Sequence, residues 1–196
     1  MQTTIKEAIK ASIRAKHTLL EDQRLLQEIE TVAQACIEVY QRDGKVLFCG
    51  NGGSAADAQH LAAELSGRFY FDRPPLFAEA LHVNTSFVTA VGNDYSYEAI
   101  YERMVKAAGR SGDLLFAIST SGNSPNIILA AEKAQSLGLK VVAMTGETGG
   151  KLRGAADFLL NAPSNDTPRI QECHMLMGHT ICQLIEASLF KRPRTS

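Results

Sequence analysis

Apolar positions along the chain change period near residue 45. Before it, Ile5, Ile9 and Ile13 recur at helical spacing, as do Leu25, Ile29, Val32, Cys36 and Tyr40, so residues 3 to about 42 read as two helices. Leu20-Glu-Asp-Gln23 is the expected break, and Asp43-Gly44 supplies a C-cap glycine. After it the pattern becomes short continuous apolar runs at 45–50, 113–119 and 140–145, which read as buried strands, with weaker candidates at 77–83 and 158–161. Helical segments fall between them at 54–66, 86–91, 97–108 and 125–137, and a last one runs from about 168 to 190. Strands separated by helices imply an α/β fold: a three-layer α/β/α sandwich with a mainly parallel five-stranded sheet, preceded by an N-terminal helical hairpin. Ligands of such sheets sit beyond the carboxyl ends of the strands. No repeat or linker divides the chain, so 1–196 is expected to be one domain. The hairpin, residues 1–43, must pack on the sheet or on another subunit, and its position favours homo-oligomerisation.

Composition narrows the class. The 196 residues are 45% hydrophobic and 21% charged with a net charge of −1, ordinary for a soluble domain and no electrostatic case for nucleic acid or an anionic membrane. Lys6, Lys10, Arg14 and Lys16, and the tail Lys191-Arg-Pro-Arg194, read as solvated charges. There is neither an apolar run long enough to span a membrane nor a signal-peptide core near the N-terminus. Cys36, Cys49, Cys173 and Cys182 stand in apolar surroundings without a Cys-x-x-Cys, which predicts buried, reduced thiols, a cytoplasmic location and no cysteine zinc site.

Two strands end in loops of small polar residues. Ser119-Thr-Ser-Gly-Asn-Ser124 precedes Pro125, which suits a first helical position and makes Ser124 the expected N-cap. Free amides and the positive dipole end there favour a phosphate, and the hydroxyls of Ser119, Thr120 and Ser121 add donors. In Gly50-Asn-Gly-Gly-Ser54, Gly52 and Gly53 allow positive φ and close backbone approach, Asn51 can read a hydroxyl, and Ser54 with Asp57 resembles a capping pair. Gly50, Gly52 and Ala55 also match Gly-x-Gly-x-x-Ala, with Asp72 at a distance suited to a dinucleotide. Against that reading, Asp72 precedes Arg73-Pro-Pro instead of ending a strand, and the Ser-rich loop has no role in it. Two such loops favour a phosphorylated substrate.

Candidate chemical groups lie on two helices. His60 and Glu64 are four apart and share a face. Ala55, Ala56, Ala58, Ala62 and Ala63 make that helix small-sided, so it can pack closely around the polar pair. Gln171 and His179 are eight apart on the last helix, His174 lies near the same face, and Thr167-Pro168 is the expected cap and first turn. Spacing alone does not choose between the two histidines. Two His, a Glu and a Gln suit zinc or a similar divalent ion, and equally suit acid–base work. Asp94 either contacts substrate hydroxyls or caps the helix that follows.

The segments Cys49-Gly-Asn-Gly-Gly-Ser54, Asp57-Ala-Gln-His60, Glu64-Leu-Ser-Gly-Arg68 and Ile118-Ser-Thr-Ser-Gly-Asn-Ser124 resemble the two motifs of sugar isomerase (SIS) domains, a flavodoxin-like fold. Met144-Thr-Gly-Glu-Thr-Gly-Gly-Lys151 and Arg169-Ile-Gln-Glu-Cys-His174, with His179, narrow the resemblance to the phosphoheptose isomerases over about residues 45–190. That resemblance implies conversion of D-sedoheptulose 7-phosphate to D-glycero-D-manno-heptose 7-phosphate through an enediol, opening ADP-heptose synthesis for lipopolysaccharide core. It implies Glu64 and His179 as the acid–base pair, and one zinc per subunit held by His60, Glu64, Gln171 and His179. It implies substrate contacts from Asn51, Gly52, Gly53, Glu64, Asn93, Asp94, Ser119, Thr120, Ser121, Ser124 and Gln171, in a homotetramer with active sites at subunit interfaces. Pro168 departs from members that carry an acidic residue beside the Arg. The alternative is the SIS relatives that bind the bacterial replication initiator without catalysis, which lack the Glu and the distal His.

Overall fold

The computed structural model describes residues 1–191, so the basic tail beyond Lys191 lies outside the described residues. The order is α1 (Gln2–Glu21), α2 (Gln23–Gln41), β1 (Val46–Gly50), α3 (Gly53–Ser66), β2 (Ala78–Ala80), α4 (Thr85–Asp94), α5 (Ala99–Ala108), β3 (Leu114–Ile118), α6 (Pro125–Ser136), β4 (Lys140–Thr145), a 3-10 turn (Lys151–Ala155), β5 (Phe158–Asn161) and α7 (Thr167–Leu189). The sheet order is β2-β1-β3-β4-β5, and every pairing is parallel.

Each central strand is buried on both faces, which is why it reads as an unbroken apolar run. Alternate residues serve the two layers. Val46, Phe48, Leu114 and Phe116 face a core shared with α2, α3 and α7, where Phe48 and Phe116 stack with ring centroids 4.8 Å apart. Leu47, Cys49, Leu115 and Ala117 face the opposite core, built with α5 and α6. The three-layer sandwich is therefore as expected. All four cysteines are free and buried. Among the described residues no helix is long and apolar enough to cross a membrane.

Several local expectations change. The hairpin breaks at Asp22, whose carboxylate accepts the Leu25 amide at 3.0 Å and caps α2. At the far end of α2 the left-handed residue is Asp43 (φ 60°), not Gly44. Its amide bonds Tyr40 O and that of Gly44 bonds Val39 O, so Gly44 is the next position, where a side chain would meet Val39 Cγ1 at 2.8 Å. The run at 77–83 pairs only over Ala78–Ala80, because β2 is an edge strand with one neighbour. The helix expected from 97 starts at Ala99, leaving Tyr97 outside it. Finally, α1 buries only Ala15 and Leu19, while Ile5, Ile9 and Ile13 are 57%, 55% and 60% exposed, so this apolar stripe does not pack on the sheet.

Candidate functional site

The chain leaves β1 toward β2 on one side of the sheet, and β3 lies on the other. The loops after β1 and β3 thus straddle the point where strand order reverses, the usual ligand crevice of such sheets. Asn51 of the first loop and Asn126 of α6 exchange carboxamide hydrogen bonds of 2.8 and 2.9 Å across it. The Tyr97 hydroxyl donates to Asn51 Oδ1 at 3.0 Å, and that of Tyr101 to Gly50 O. Asn126, only 2% exposed, was not singled out from sequence, since nothing local ties it to Asn51.

Ser124 is the N-cap of α6, as expected, but neither loop caps its helix with a side chain. The N-cap of α3 is Gly52, at φ 55° and ψ −120°, a conformation strained for any other residue; Ser54 and Asp57 form no capping pair. The Ser124 hydroxyl makes no cap bond to α6 and meets the buried Ser119 hydroxyl at 3.0 Å instead. The α7 N-cap is Asp166 rather than Thr167, again without a side-chain bond. No side chain covers the N-terminal ends of α3, α6 and α7, which leaves those dipole ends open to an anion. Ser121 Oγ accepts the Asn123 amide at 3.1 Å and retains its own proton to donate. Gly122 (φ 65°) lies against Gly149 and Gly150, so the loop after β4 backs the Ser-rich loop.

Helices α3 and α7 run in the same direction on one face of the sheet. Gln171 lies over Gly53, where any β-carbon would collide with its carboxamide, and Gly178 lies over Leu61, whose methyls would be 2.6 Å from an added β-carbon. This close approach brings His179 to His60. The two Nε2 atoms are 3.3 Å apart, His60 Nε2 is 3.0 Å from Glu64 Oε1, and one donor atom from each of the three residues lies within 4.8 Å of the others. Around a tetrahedral zinc with bonds of about 2.0–2.1 Å, neighbouring ligand atoms stand about 3.3 Å apart, so these separations and this N/N/O set fit such an ion. The packing also separates the two histidines that spacing left open. His174 is fully buried with Nε2 on Thr145 O at 2.9 Å, a core residue.

Asn93 and Asp94 stand exposed at the end of α4, Asn93 donating to Asp94 at 2.9 Å, and Asp94 is not part of the cluster. Asp57 is half-buried one turn before His60, with Oδ2 unpartnered; burial pushes its carboxyl up to about 6, against the pull of His60. A cavity of about 200 Å³ beside the first loop is lined by Gly52, His82, Tyr97 and Tyr101 among others. Burial lowers the pKa of His82, whose Nδ1 has no partner.

The SIS-domain family model matches residues 9–146. The phosphoheptose isomerase of Aneurinibacillus thermoaerophilus is 51% identical over 191 residues, covering 97% of this chain and 96% of that one. The chain belongs to the phosphoheptose isomerase family. Solved relatives agree. The phosphoheptose isomerase of Neisseria gonorrhoeae superposes with a TM-score of 0.89 at 42% identity, covering 95% of this chain and 98% of that one. That of Francisella tularensis reaches 0.91 at 39% identity with the same coverage.

Proposed function

We propose that this phosphoheptose isomerase acts on D-sedoheptulose 7-phosphate, interconverting it with D-glycero-D-manno-heptose 7-phosphate. The observation that carries the reading is the convergence of His179, from α7, with His60 and Glu64 of α3, the helix whose N-terminus forms one phosphate loop. Gly53 and His60 are seven residues apart, about 10.5 Å along the axis at 1.5 Å per residue, so phosphate and reacting carbons are held at opposite ends of one rigid element. That suits a long sugar phosphorylated at its far end. Asn51, Gly52, Gly53, Ser119, Thr120, Ser121 and Ser124 hold the phosphate and nearby hydroxyls, and Gln171, Asn93 and Asp94 orient the chain. Glu64 and His179 then share the proton transfers: one takes a proton from the ketose C1 while the other protonates the C2 carbonyl oxygen to give the enediol. A proton is then returned to C2 as the proton on the C1 oxygen is removed, leaving the aldehyde. His60, Glu64, His179 and Gln171 would hold zinc, which when bound polarises the substrate carbonyl.

The exposed Ile5, Ile9 and Ile13 stripe supports assembly through α1, and we assign a cytoplasmic homotetramer with sites at subunit interfaces, to be checked by light scattering. The product is suited to ADP-heptose synthesis for lipopolysaccharide core. Non-catalytic binding to the replication initiator gains no support, because Glu64 and His179 are both present and joined by His60. The deciding experiment is turnover of sedoheptulose 7-phosphate by metal-free protein, then after zinc is restored. Zinc-dependent formation of the aldose phosphate is expected. Activity without metal would keep the isomerase and reduce His60 and Gln171 to positioning roles, and no activity from folded protein in either state refutes the reading.

A further inference from the structure

Arg73 and Glu186 form an ion pair in the interior, with side chains 1% and 2% exposed, that the proton transfer does not use. Arg73 Nε donates to Glu186 Oε1 at 3.2 Å. Its Nη2 donates to Glu64 O at 2.9 Å, and its Nη1 to Leu65 O at 2.7 Å, Gly67 O at 3.2 Å and Pro74 O at 3.0 Å. The last carbonyls of a helix have no intrahelical donor and form the negative end of its dipole. Arg73 supplies both donors and charge to the last turn of α3, and Glu64 sits in that turn.

Glu186 works on the other helix. Its two oxygens accept the Phe69 amide at 2.9 Å and the Tyr70 amide at 2.8 Å. The Phe69 ring anchored in this way lies 5.6 Å from the His179 imidazole. Glu186 follows His179 by seven residues, two turns along α7 on the same face. One pair therefore holds the helix end that carries Glu64 and the ring that flanks His179.

We infer that Arg73 and Glu186 are positioning residues, setting the separation of Glu64 and His179 for the isomerisation proposed above, on which the inference rests. A buried ion pair is a poor device for stability alone, because apolar residues of similar volume often replace it without loss, whereas removing one partner strands a charge. Bonds directed to one helix end and one loop give it a geometric use instead.

That contrast supplies the test. The double variant Arg73→Met/Glu186→Leu removes the bonds without leaving a buried charge. Its melting temperature is expected to fall, because the Glu64 and Leu65 carbonyls and the Phe69 and Tyr70 amides lose their partners, so kinetics are read well below it. Its KM is expected to stay within threefold, since the phosphate loops lie at the other end of α3. Its kcat, and the affinity of metal-free protein for zinc by calorimetry, are each expected to fall at least tenfold. A folded double variant with parental kcat and zinc affinity overturns the inference. If it does not fold, Arg73→Lys decides, because an ammonium keeps the charge but cannot span the same carbonyls. Reduced kcat at unchanged melting temperature supports positioning, and unchanged kcat and zinc affinity overturn it. A parent that fails to turn over the heptose phosphate refutes the isomerase reading instead, and the zinc titration still decides whether the pair positions the cluster.

Discussion

Protonating His174 should unfold this protein in proportion to a proton its core has no room for. The ring is fully buried on α7, Nε2–H donates to Thr145 O at 2.9 Å at the end of β4, and Nδ1 faces no partner. A second N–H would have no acceptor, and burial pushes the pKa down to about 4 despite the pull of the Thr145 carbonyl. In the unfolded chain the group titrates near 6.5, so the unfolded state binds the proton first as pH falls. Stability from this group is complete above neutrality, declines as pH drops through 6.5 toward 4, and levels below that. The full difference is about 3 kcal/mol, and the part lost between pH 8 and pH 5 is about 2 kcal/mol. Urea unfolding of the parent and of His174→Gln at pH 8, 7, 6 and 5, at one protein concentration, measures it. Gln retains a donor for Thr145 O and does not titrate, so its stability should fall by about 2 kcal/mol less than the parent over that range. Parallel pH profiles for the two proteins would refute the reasoning.

Other outcomes follow from the site. Glu64→Gln and His179→Gln should each lower kcat at least about 100-fold with the fold intact by circular dichroism, as removal of a general acid or base does; near-parental turnover in either removes it from the proton relay. Asn126→Ala deletes the reciprocal carboxamide pair between the two loops and should raise KM about tenfold with kcat little changed, roughly the value of one or two buried hydrogen bonds. An unchanged KM would show that the loops keep their register without it. Gly52→Ala adds a methyl that meets nothing within 4 Å, so the whole penalty is backbone strain at φ 55°. It should destabilise by about 1–3 kcal/mol in urea unfolding, and no loss would mean the loop relaxes.

The order of elements was legible because both faces of the sheet are covered. A strand buried on both sides must be apolar at every position, and β1, β3 and β4 announce themselves for that reason. The edge strand β2 has no such constraint and was drawn too long. Cap positions and cap bonds are different matters. Ser124 is the N-cap of α6 as its place before Pro125 predicts, but its hydroxyl goes to Ser119, and Gly44 looks like the left-handed residue until Val39 shows why it must be small.

The sequence by itself determined the alternation of strands and helices, the two loops of small polar residues, the His60–Glu64 pair and the family resemblance. These are patterns within a few residues, set by local periodicity and by the chemistry of short motifs. Spacing left open which histidine joins that pair; the family resemblance pointed to His179, and the tertiary structure decided it, since His174 and His179 differ in what packs on them. It alone matched Asn51 with Asn126 and Arg73 with Glu186, partners 75 and 113 residues apart. The physical reason is that a side chain's partner depends on which helix face meets which. That is settled by close approach at Gly53 and Gly178, where a side chain of one helix, Gln171 or Leu61, lies directly on the bare backbone of the other.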